Sequence, residues 1–522
     1  MRPLFVAAPS MTTALSWRKT SQPLLLLLLL FAMQATARDT TSLSTDDIAW
    51  LRRDGFGLDT ASVTQYRSLG REHLLDAQLA DHMDGQMPSE ITTLIGSLNG
   101  INTPPTQLLA SLQAEQQRIK ALPDGPDKDA ANKALQSTGN QMGQAAQQVE
   151  LLQAVYGPNQ LKEQLAWFWL NHFSVYASKG RIRWVLADYV QNTIRPHALG
   201  KFRDLLMATL ESPAMLEFLD NAQNAKGHVN ENYARELMEL HTLGVNSGYT
   251  QQDVQQLALI LTGVGIEPVD GKPQNFNPKF APLVVRNGLF QFNPQRHDFS
   301  DKVFLGQTIK GSGFDEVQQA VDIIVHQPAC AQFISRQLAE YFVADDPSPA
   351  LVARMARTFR RSDGDIGKVL RTMFESRDLL TDAGHKFNDP MRFVVSSTRL
   401  AYDGKPIANA LPLVSWLNQL DQPLFDRITP DGWPLDGASW SSSGQMAKRF
   451  EIANAIGTGN NQLFTPAGST LRGAGFPMLT TRLYYDLIEP HLSLATRDAL
   501  SKATTQQEWN TFLLSSPDLN YR

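Results

Sequence analysis

The fold is decided by one stretch near the middle of the chain, Asn230-Glu231-Asn232-Tyr233-Ala234-Arg235-Glu236-Leu237-Met238-Glu239-Leu240-His241-Thr242-Leu243-Gly244. Its ends carry residues typical of helix termini: Asn230 is a favoured N-cap, acidic residues fill the first turn, and Gly244 follows the last turn. At 100° per residue, Asn232, Arg235, Glu236 and Glu239 share one side, and mostly apolar residues occupy the other. The stretch therefore predicts a helix with one polar face and one buried face.

Helical patterns continue on both sides of this stretch. The sequence Thr250-Gln251-Gln252-Asp253 resembles a capping box. It precedes four apolar residues at helical spacing, Val254, Leu257, Ala258 and Leu261. Further helices are predicted over residues 315–343, 349–360, 365–376, 390–402, 444–456, 478–489 and 506–515. The expected fold class is mainly α, a multi-helical globular protein.

One segment departs from the helical pattern, and it lies around residues 283–309. Leu283-Val284-Val285-Arg286 and Leu289-Phe290-Gln291-Phe292 flank the dipeptide Asn287-Gly288. This dipeptide favours a tight β-hairpin because both residues tolerate positive φ. Residues 302–309 are candidates for a third strand. We therefore expect a small β-hairpin insert in the helical protein.

The N-terminal region has the three parts of a secretory signal peptide. Arg18 and Lys19 precede a leucine-rich run over residues 24–33, and Ala35-Thr36-Ala37 forms a small-residue cleavage site. An uncleaved membrane anchor is the weaker interpretation, because the run has about half of the roughly twenty residues that a spanning helix needs. We expect residues 1–37 to be removed from an exported protein that is periplasmic or secreted.

The remaining chain is expected to form one helical domain over residues 38–460 and a helical segment over 461–522 that packs on it. The Gln-rich segment at about 105–155 has the pattern of two helices separated by Pro123-Asp124-Gly125-Pro126. We interpret it as a solvated helical hairpin inserted into the domain. No second long apolar segment occurs, so no transmembrane segment is expected in the mature chain.

Composition and missing motifs exclude several classes of function. The 47 basic and 52 acidic residues are nearly balanced, which gives no indication of a nucleic-acid partner. The single cysteine, Cys330, excludes an internal disulfide, an iron–sulfur cluster and covalent haem attachment, and favours a small buried residue over a nucleophile. The sequence contains no Walker loop and no dinucleotide-binding glycine motif after a strand, so no nucleotide cofactor is indicated.

The polar face of the 230–244 stretch is the first candidate site. Glu236 and Glu239 are candidates for catalytic acid and base, Arg235 for orienting an anionic group, and His241 and His172 for assisting. Binding of a divalent cation is also open. A structural alternative exists, because Glu231, Arg235 and Glu239 have the i, i+4, i+8 spacing of an ion-pair ladder, and His241 falls among apolar residues. The candidates for substrate binding are Asn171, His197, Asn232, His297 and Asp298.

Several of these segments together resemble a large bacterial family called domain of unknown function 1800. The resemblance begins at Leu51-Arg52-Arg53-Asp54-Gly55-Phe56-Gly57 and continues through Trp169-Leu170-Asn171-His172-Phe173 and His197-Ala198-Leu199-Gly200. The segment from Asn230 to Gly244, followed by Gly248-Tyr249-Thr250, is its most specific part, and His297-Asp298 and His326-Gln327-Pro328 follow in order. Gly263-Val264 departs from the Gly-Trp that is usual in the family.

The resemblance implies an exported bacterial protein with no established activity. It also implies a partner, because family members are often encoded beside exported proteins that resemble sulfatases. Two functions stay open: an acid–base hydrolase acting on an envelope or extracellular substrate, and a non-catalytic envelope scaffold or accessory protein for such a partner. The hydrolase predicts that Glu236, Glu239 and Arg235 converge in one pocket with His172, His197, His241 or His297 assisting. Whether these residues and Asn171 meet in one cavity is the observation that best separates the two functions.

Overall fold

The computed structural model describes residues 43–522 except 246, 273, 382 and 470–474. The signal peptide predicted for residues 1–37 lies outside these described residues. Within them the chain forms twenty-three α-helices and five short strands. The first helices are α1 (Thr45–Asp54), α2 (Thr60–Leu79), α3 (Ser89–Gly96), α4 (Pro105–Lys120), α5 (Pro126–Tyr156), α6 (Gln160–His172), α7 (Ile182–Asp188), α8 (Phe202–Glu211), α9 (Pro213–Phe218), α10 (Asn232–Glu236) and α11 (Gln251–Ile260).

The second part of the chain continues the helical pattern after the strands. Its helices are α12 (Phe314–Val325), α13 (Pro328–Phe342), α14 (Pro349–Arg361), α15 (Ile366–Phe374), α16 (Asp378–Thr381), α17 (Pro390–Tyr402), α18 (Leu411–Gln419), α19 (Ser443–Gly457), α20 (Arg482–Leu487), α21 (Leu494–Ser501), α22 (Gln506–Ser515) and α23 (Pro517–Asn520). Two π-helical turns occur, at Tyr189–Ile194 and Leu237–Thr242. The prediction of a mainly α protein is confirmed.

Local capping explains where several helices begin. Ser44 and Asp47 form a capping box at the start of α1, and Thr250 and Asp253 form another at α11. Proline occupies an early position in α4, α5, α9, α13 and α14, where its missing N–H would have no helical partner. These helices pack pairwise: α13 against α14, α5 against α7, and α19 against α22.

The Gln-rich segment differs from the prediction in its second half. Helices α4 and α5 form the expected pair, and α4 together with the first half of α5 is mostly solvent-accessible. The end of α5, however, is buried through residues such as Leu151, Leu152 and Ala154. This half also carries Glu150 into the core, where the carboxylate pairs with Arg195 at 2.7 Å. The segment is therefore part of the core and not only a solvated hairpin.

The β insert is present, with a different register and a different third strand. β2 (Val285–Asn287) pairs with β3 (Phe290–Phe292) so that Asn287 faces Phe290, which leaves Gly288 and Leu289 as the turn. Of these two turn residues only Gly288 has positive φ, so one glycine is enough for this turn. The third strand is β1 (Val264–Ile266), because residues 302–309 instead pair with each other as β4 (Lys302–Phe304) and β5 (Gln307–Ile309).

The two ends of the described chain are joined by hydrogen bonds. The guanidinium of Arg52 in α1 donates to the carbonyl oxygens of Asp518 and Tyr521, at 2.6 and 2.5 Å. Residues 44–522 form a single compact unit. In the part of the chain that the structure describes, no helix combines the length and the apolar character needed to cross a bilayer.

Candidate functional site

The 230–244 stretch is helical, but its geometry changes in the middle. α10 continues directly into the π-helical turn Leu237–Thr242, where Leu243 N–H donates to Met238 O, five residues back. The single regular α-helix expected from the sequence was wrong here. A π turn holds an extra residue, so side chains after Leu237 no longer follow 100° steps, and such turns are frequent at functional sites. His241, in this turn, is buried, as its position among apolar residues predicted.

The polar face of this stretch contains the ion-pair ladder that the spacing allowed. Arg235 lies 3.1 Å from Glu231 and 3.7 Å from Glu239 between their charged atoms. All three side chains are about one-third exposed, so solvent screens these pairs and each contributes little stability. The ladder leaves Glu236 without a salt bridge among the described residues.

A cleft of about 330 Å³ lies beside this ladder. Its walls come from the end of α6, the π turn, α13 and the segment of residues 429–440, which we call the Trp433 loop. The lining residues are Phe168, Asn171, His172, Glu239, Leu240, Val245, Phe333, Gln337, Glu340, Asp431, Gly432, Trp433, Pro434, Leu435 and Asp436. Carboxyl groups and aromatic rings thus line the same cleft.

Hydrogen bonds from two sides hold the Trp433 loop over the cleft. Asn171 donates to Trp433 O at 2.9 Å and accepts from Trp433 N at 2.6 Å, as a neighbouring strand would. Gly432 has φ of 71°, and a Cβ there would lie 2.2 Å from Asn171 O, so only glycine allows this approach. On the other side Lys386 donates to Leu435 O at 2.6 Å.

Two histidines lie one behind the other at the base of the cleft. The Nε2 of His172 lies 2.9 Å from the backbone oxygen of His241, so this nitrogen donates and Nδ1 carries the lone pair. Burial lowers the pKa of His172 to about 4. His241 is 1% exposed, and neither of its ring nitrogens has a partner among the described residues. Burial, together with His172, holds the pKa of His241 well below its usual range.

The cleft carboxyls differ in the direction in which their pKa values are shifted. Burial raises the pKa of Glu340, and the nearby Asp345 and Asp436 raise it further against the opposing effect of Lys386 and Arg336. Asp431 has a lowered pKa: burial would raise it, but hydrogen bonds from Arg427 and Thr429 outweigh that effect. The pKa of Glu236 is raised by burial and by the charges of Glu239 and Asp431. Opposite shifts within one cleft are typical of acid–base pairs.

The carboxyl in the lining whose pKa is raised, Glu340, was missed from the sequence. It lies on α13 together with Phe333 and Gln337, spaced four and three residues apart, and this spacing places all three on one helical face. The stripe was a detectable signal, although a helix face of this composition is more often simple surface. Asp431, Trp433 and Asp436 were also missed, because they lie in an irregular loop that has no periodicity.

The structure brings only part of the predicted set together. Asn171, His172 and Glu239 line the cleft, with Arg235 and Glu236 on the adjoining ladder and His241 behind. The side chain of Asn232 instead donates to Leu219 O at 3.2 Å and ties the start of α10 to the preceding loop. The whole set therefore does not meet in one cavity.

The remaining three predicted residues lie elsewhere. His197 lines a separate cleft with Asp188, Asp204 and Glu211. His297 is buried and pairs with Glu316 at 2.8 Å, while Lys302 reaches the other oxygen of Glu316 at 2.6 Å. Asp298 belongs to the same group, since its backbone oxygen accepts from Lys302. His297 is removed from the cleft because its ring completes this buried group.

The described residues contain no preformed cation site. Among the residues that the structure describes, no group of three or more His, Cys, Asp or Glu side chains is arranged to hold a metal ion. The chemistry available in the cleft is that of carboxyls, one neutral histidine and an amide.

Sequence comparison places these residues in a wider context. The model of the family described as protein of unknown function (DUF1800) matches residues 49–521. No curated protein and no solved structure matches the chain. The matched range includes every residue of the cleft.

Proposed function

We propose, from the premise that this chain belongs to the DUF1800 family, that the protein is an acid–base hydrolase whose site is the Trp433 cleft. The observation that carries the proposal is that one cleft holds Glu340, whose pKa is raised, and Glu239, whose carboxylate forms an ion pair with Arg235. Glycosidic bonds are the substrate class that this supports best, because their hydrolysis requires only a protonated carboxyl and an ionised one. The partly exposed ring of Trp433 offers an apolar face for a sugar.

Each role in the reaction has a residue that suits it. Glu340 is the general acid, since a raised pKa favours the protonated carboxyl that this role needs. Glu239 is the carboxylate that activates water, with Arg235 as its ion-pair partner. Asn171 fixes the Trp433 loop through the two hydrogen bonds described above, and His172 supplies a neutral acceptor at Nδ1.

The proposal is tested by measuring reducing ends released from a panel of soluble bacterial and plant polysaccharides. Glu340→Gln and Glu239→Gln should each lower the rate about 10²- to 10⁴-fold, the range for a lost general acid or base. Glu267→Gln is the matched control, because its carboxylate pairs with Arg286 on the β insert. Equal rates in wild type and Glu340→Gln would rule out the assignment.

A second function is favoured by two exposed apolar side chains near the cleft. Val245 lines it and is 63% exposed, and Ile428, immediately before the Trp433 loop, is 71% exposed. An accessory protein would use them to bind a secreted, sulfatase-like partner. In that case Val245→Ser with Ile428→Ser abolishes co-purification of the partner, whereas Glu340→Gln leaves it unchanged. If the protein is a hydrolase, Glu340→Gln should lower the hydrolytic rate strongly, whereas Val245→Ser with Ile428→Ser should change it little.

Export is a separate part of the proposal. The cell should remove residues 1–37, so that the mature protein begins at Arg38 in the periplasm or the medium. Mass spectrometry of the N-terminal peptide from each cell fraction tests this directly. Full-length protein retained in the cytoplasm would contradict it.

A further inference from the structure

The arginines of the protein are unevenly paired. Most arginines that the structure describes donate a hydrogen bond or pair with a carboxylate, as Arg354 does with Asp378. Within the described residues, the arginine side chains that have neither kind of partner all lie in one short stretch, and they are Arg357, Arg360, Arg361 and Arg377. All of them are exposed. Positive charge is thus concentrated and unneutralised at one place in a chain whose net charge is −5.

The first three of these arginines lie on one face of α14. At 100° per residue, Arg357, Arg360 and Arg361 fall within an arc of about 100°. The opposite side of the helix is buried through Leu351, Val352, Met355, Ala356 and Phe359. We call the outward surface formed by Arg357, Arg360 and Arg361 the arginine face.

The neighbouring helix α15 extends this positive surface. The hydroxyl oxygens of Thr358 in α14 and Thr372 in α15 lie 2.9 Å apart, so the solvent-facing sides of the two helices adjoin. Ser376, which precedes Arg377, accepts a hydrogen bond from Arg354 at 2.8 Å. Arg377 therefore lies beside the first half of α14, and the arginine face covers the second half.

Helix termination explains only part of this cluster. Arg360 and Arg361 occupy the last turn of α14, where the helix dipole favours basic side chains. Arg357 lies before that turn, and it is spaced three and four residues from the other two. Like charges at this spacing repel each other and weaken a helix. An anionic partner outside the chain would relieve this repulsion.

We propose that the arginine face binds the surface of a bilayer that contains anionic phospholipids. Clustered basic side chains are attracted to such a surface, and the attraction needs no groove and no fixed register. A protein interface, in contrast, has an apolar core. None of the large apolar side chains that are exposed in the described chain lies in α14 or α15. The charge of this face therefore complements a lipid surface better than it complements a folded protein.

Cosedimentation of the full chain with lipid vesicles tests the proposal. One set of vesicles contains phosphatidylglycerol and phosphatidylcholine, and the other contains phosphatidylcholine alone. The readout is the ratio of the protein bound to the two sets, because the leucine-rich run of residues 24–33 would bind both alike. The ratio should exceed one and fall as salt is added, since screening weakens the attraction. Equal binding to both sets would overturn the proposal.

Substitutions then locate the binding. Arg357→Gln, Arg360→Gln and Arg361→Gln together should lower the ratio on the order of a hundredfold, at about fivefold for each lost charge. The matched control removes three positive charges from the exposed surface of α4 and α5 through Arg118→Gln, Lys120→Gln and Lys133→Gln. The control should leave the ratio nearly unchanged. Equal losses in the two variants would show that net charge decides the binding, and would overturn the assignment to the arginine face.

Folding and a second kind of partner are tested with the same variants. Because the three arginines repel each other, their substitution by glutamine should leave the thermal unfolding midpoint unchanged or raise it. If the triple variant nevertheless fails to fold, Arg357→Gln alone should lower the ratio by about fivefold. Soluble polyphosphate at equal phosphate concentration should bind the wild type more weakly than the anionic vesicles do. Tighter binding of polyphosphate would assign the face to a soluble polyanion and overturn the proposal.

Discussion

Two regions of the protein combine a histidine with carboxylates, and they differ in whether their polar atoms have hydrogen-bond partners. In the group formed by His297, Lys302 and Glu316, each charged side chain has a close partner, and Glu316 also accepts from Ser312 N and Gly313 N at 2.8 and 2.9 Å. Behind the Trp433 cleft, His241 has no partner for either ring nitrogen among the described residues, and the pKa of Glu340 in the cleft lining is raised. Satisfied polar groups stabilise a fold, whereas unsatisfied ones beside a cleft are available for chemistry.

Removing a charge from the buried group of His297, Lys302 and Glu316 should have the largest effect on stability. Glu316→Ala leaves Lys302 and His297 buried without their carboxylate, which should reduce the free energy of unfolding by about 3–5 kcal/mol. Urea denaturation measures this loss. Glu267→Gln, which removes an exposed pair, should change it by less than about 1 kcal/mol. Similar losses in both variants would show that the buried group contributes no more to stability than an exposed ion pair.

Acid should affect the cleft through His172. Its folded pKa of about 4 lies below the ordinary value of 6.5, so the folded state binds fewer protons than the unfolded state between these values. Stability is therefore complete above pH 6.5 and falls as the pH drops, by about 3 kcal/mol in total from this group. His172→Gln should flatten that part of the stability curve. His73→Gln, which changes an exposed histidine, should reproduce the wild-type curve.

Weakening the attachment of the Trp433 loop should have a smaller effect on the free energy of unfolding. Gly432→Ala combines a strained positive φ with a Cβ 2.2 Å from Asn171 O, so unfolding should cost about 2–3 kcal/mol less. Gly404→Ala has a similar φ and open space around it, so only the strain of about 1 kcal/mol remains. Hydrogen exchange at Trp433 N should accelerate in Gly432→Ala alone. Unchanged exchange would mean that Asn171 does not fix the loop.

The ladder should be the least sensitive feature. Arg235→Gln removes two ion pairs between side chains that are about one-third exposed, with Glu231 and Glu239, and should lower the unfolding free energy by less than about 1 kcal/mol. The loss should shrink in high salt, because screening already weakens exposed pairs. A loss above about 2 kcal/mol, independent of salt, would make the ladder a structural element comparable to the buried group.

Local signals predicted the helices well because caps and apolar spacing act over a few residues. The capping box at Thr250 is where the sequence indicated, and the β insert is present. The π turn at Leu237–Thr242 has no sequence signal of that kind, because it depends on how the helix packs on the rest of the core. The regular-helix prediction therefore missed this turn, although it placed Glu239 beside Arg235 and His241 on the buried face.

The site was less predictable than the fold for a related reason. Asn171, His172 and Glu239 could be predicted from their residue types and from the segments that resemble the family, in which they lie. Glu340 and Asp431 were not predicted, since the pKa of Glu340 is raised mainly by burial, which depends on the tertiary packing, and Asp431 lies in an irregular loop. His297 looked like a site residue beside Asp298, and only its burial against Glu316 shows a structural setting.

The unfolding free energy of Glu340→Gln tests the central claim most directly, and it requires no substrate. If the cleft holds Glu340 for chemistry, its charged form is disfavoured in the fold, so a neutral amide should leave stability unchanged or raise it at pH 7. A loss of several kcal/mol, comparable to that of Glu316→Ala, would contradict the account and place Glu340 among the groups that hold the structure together.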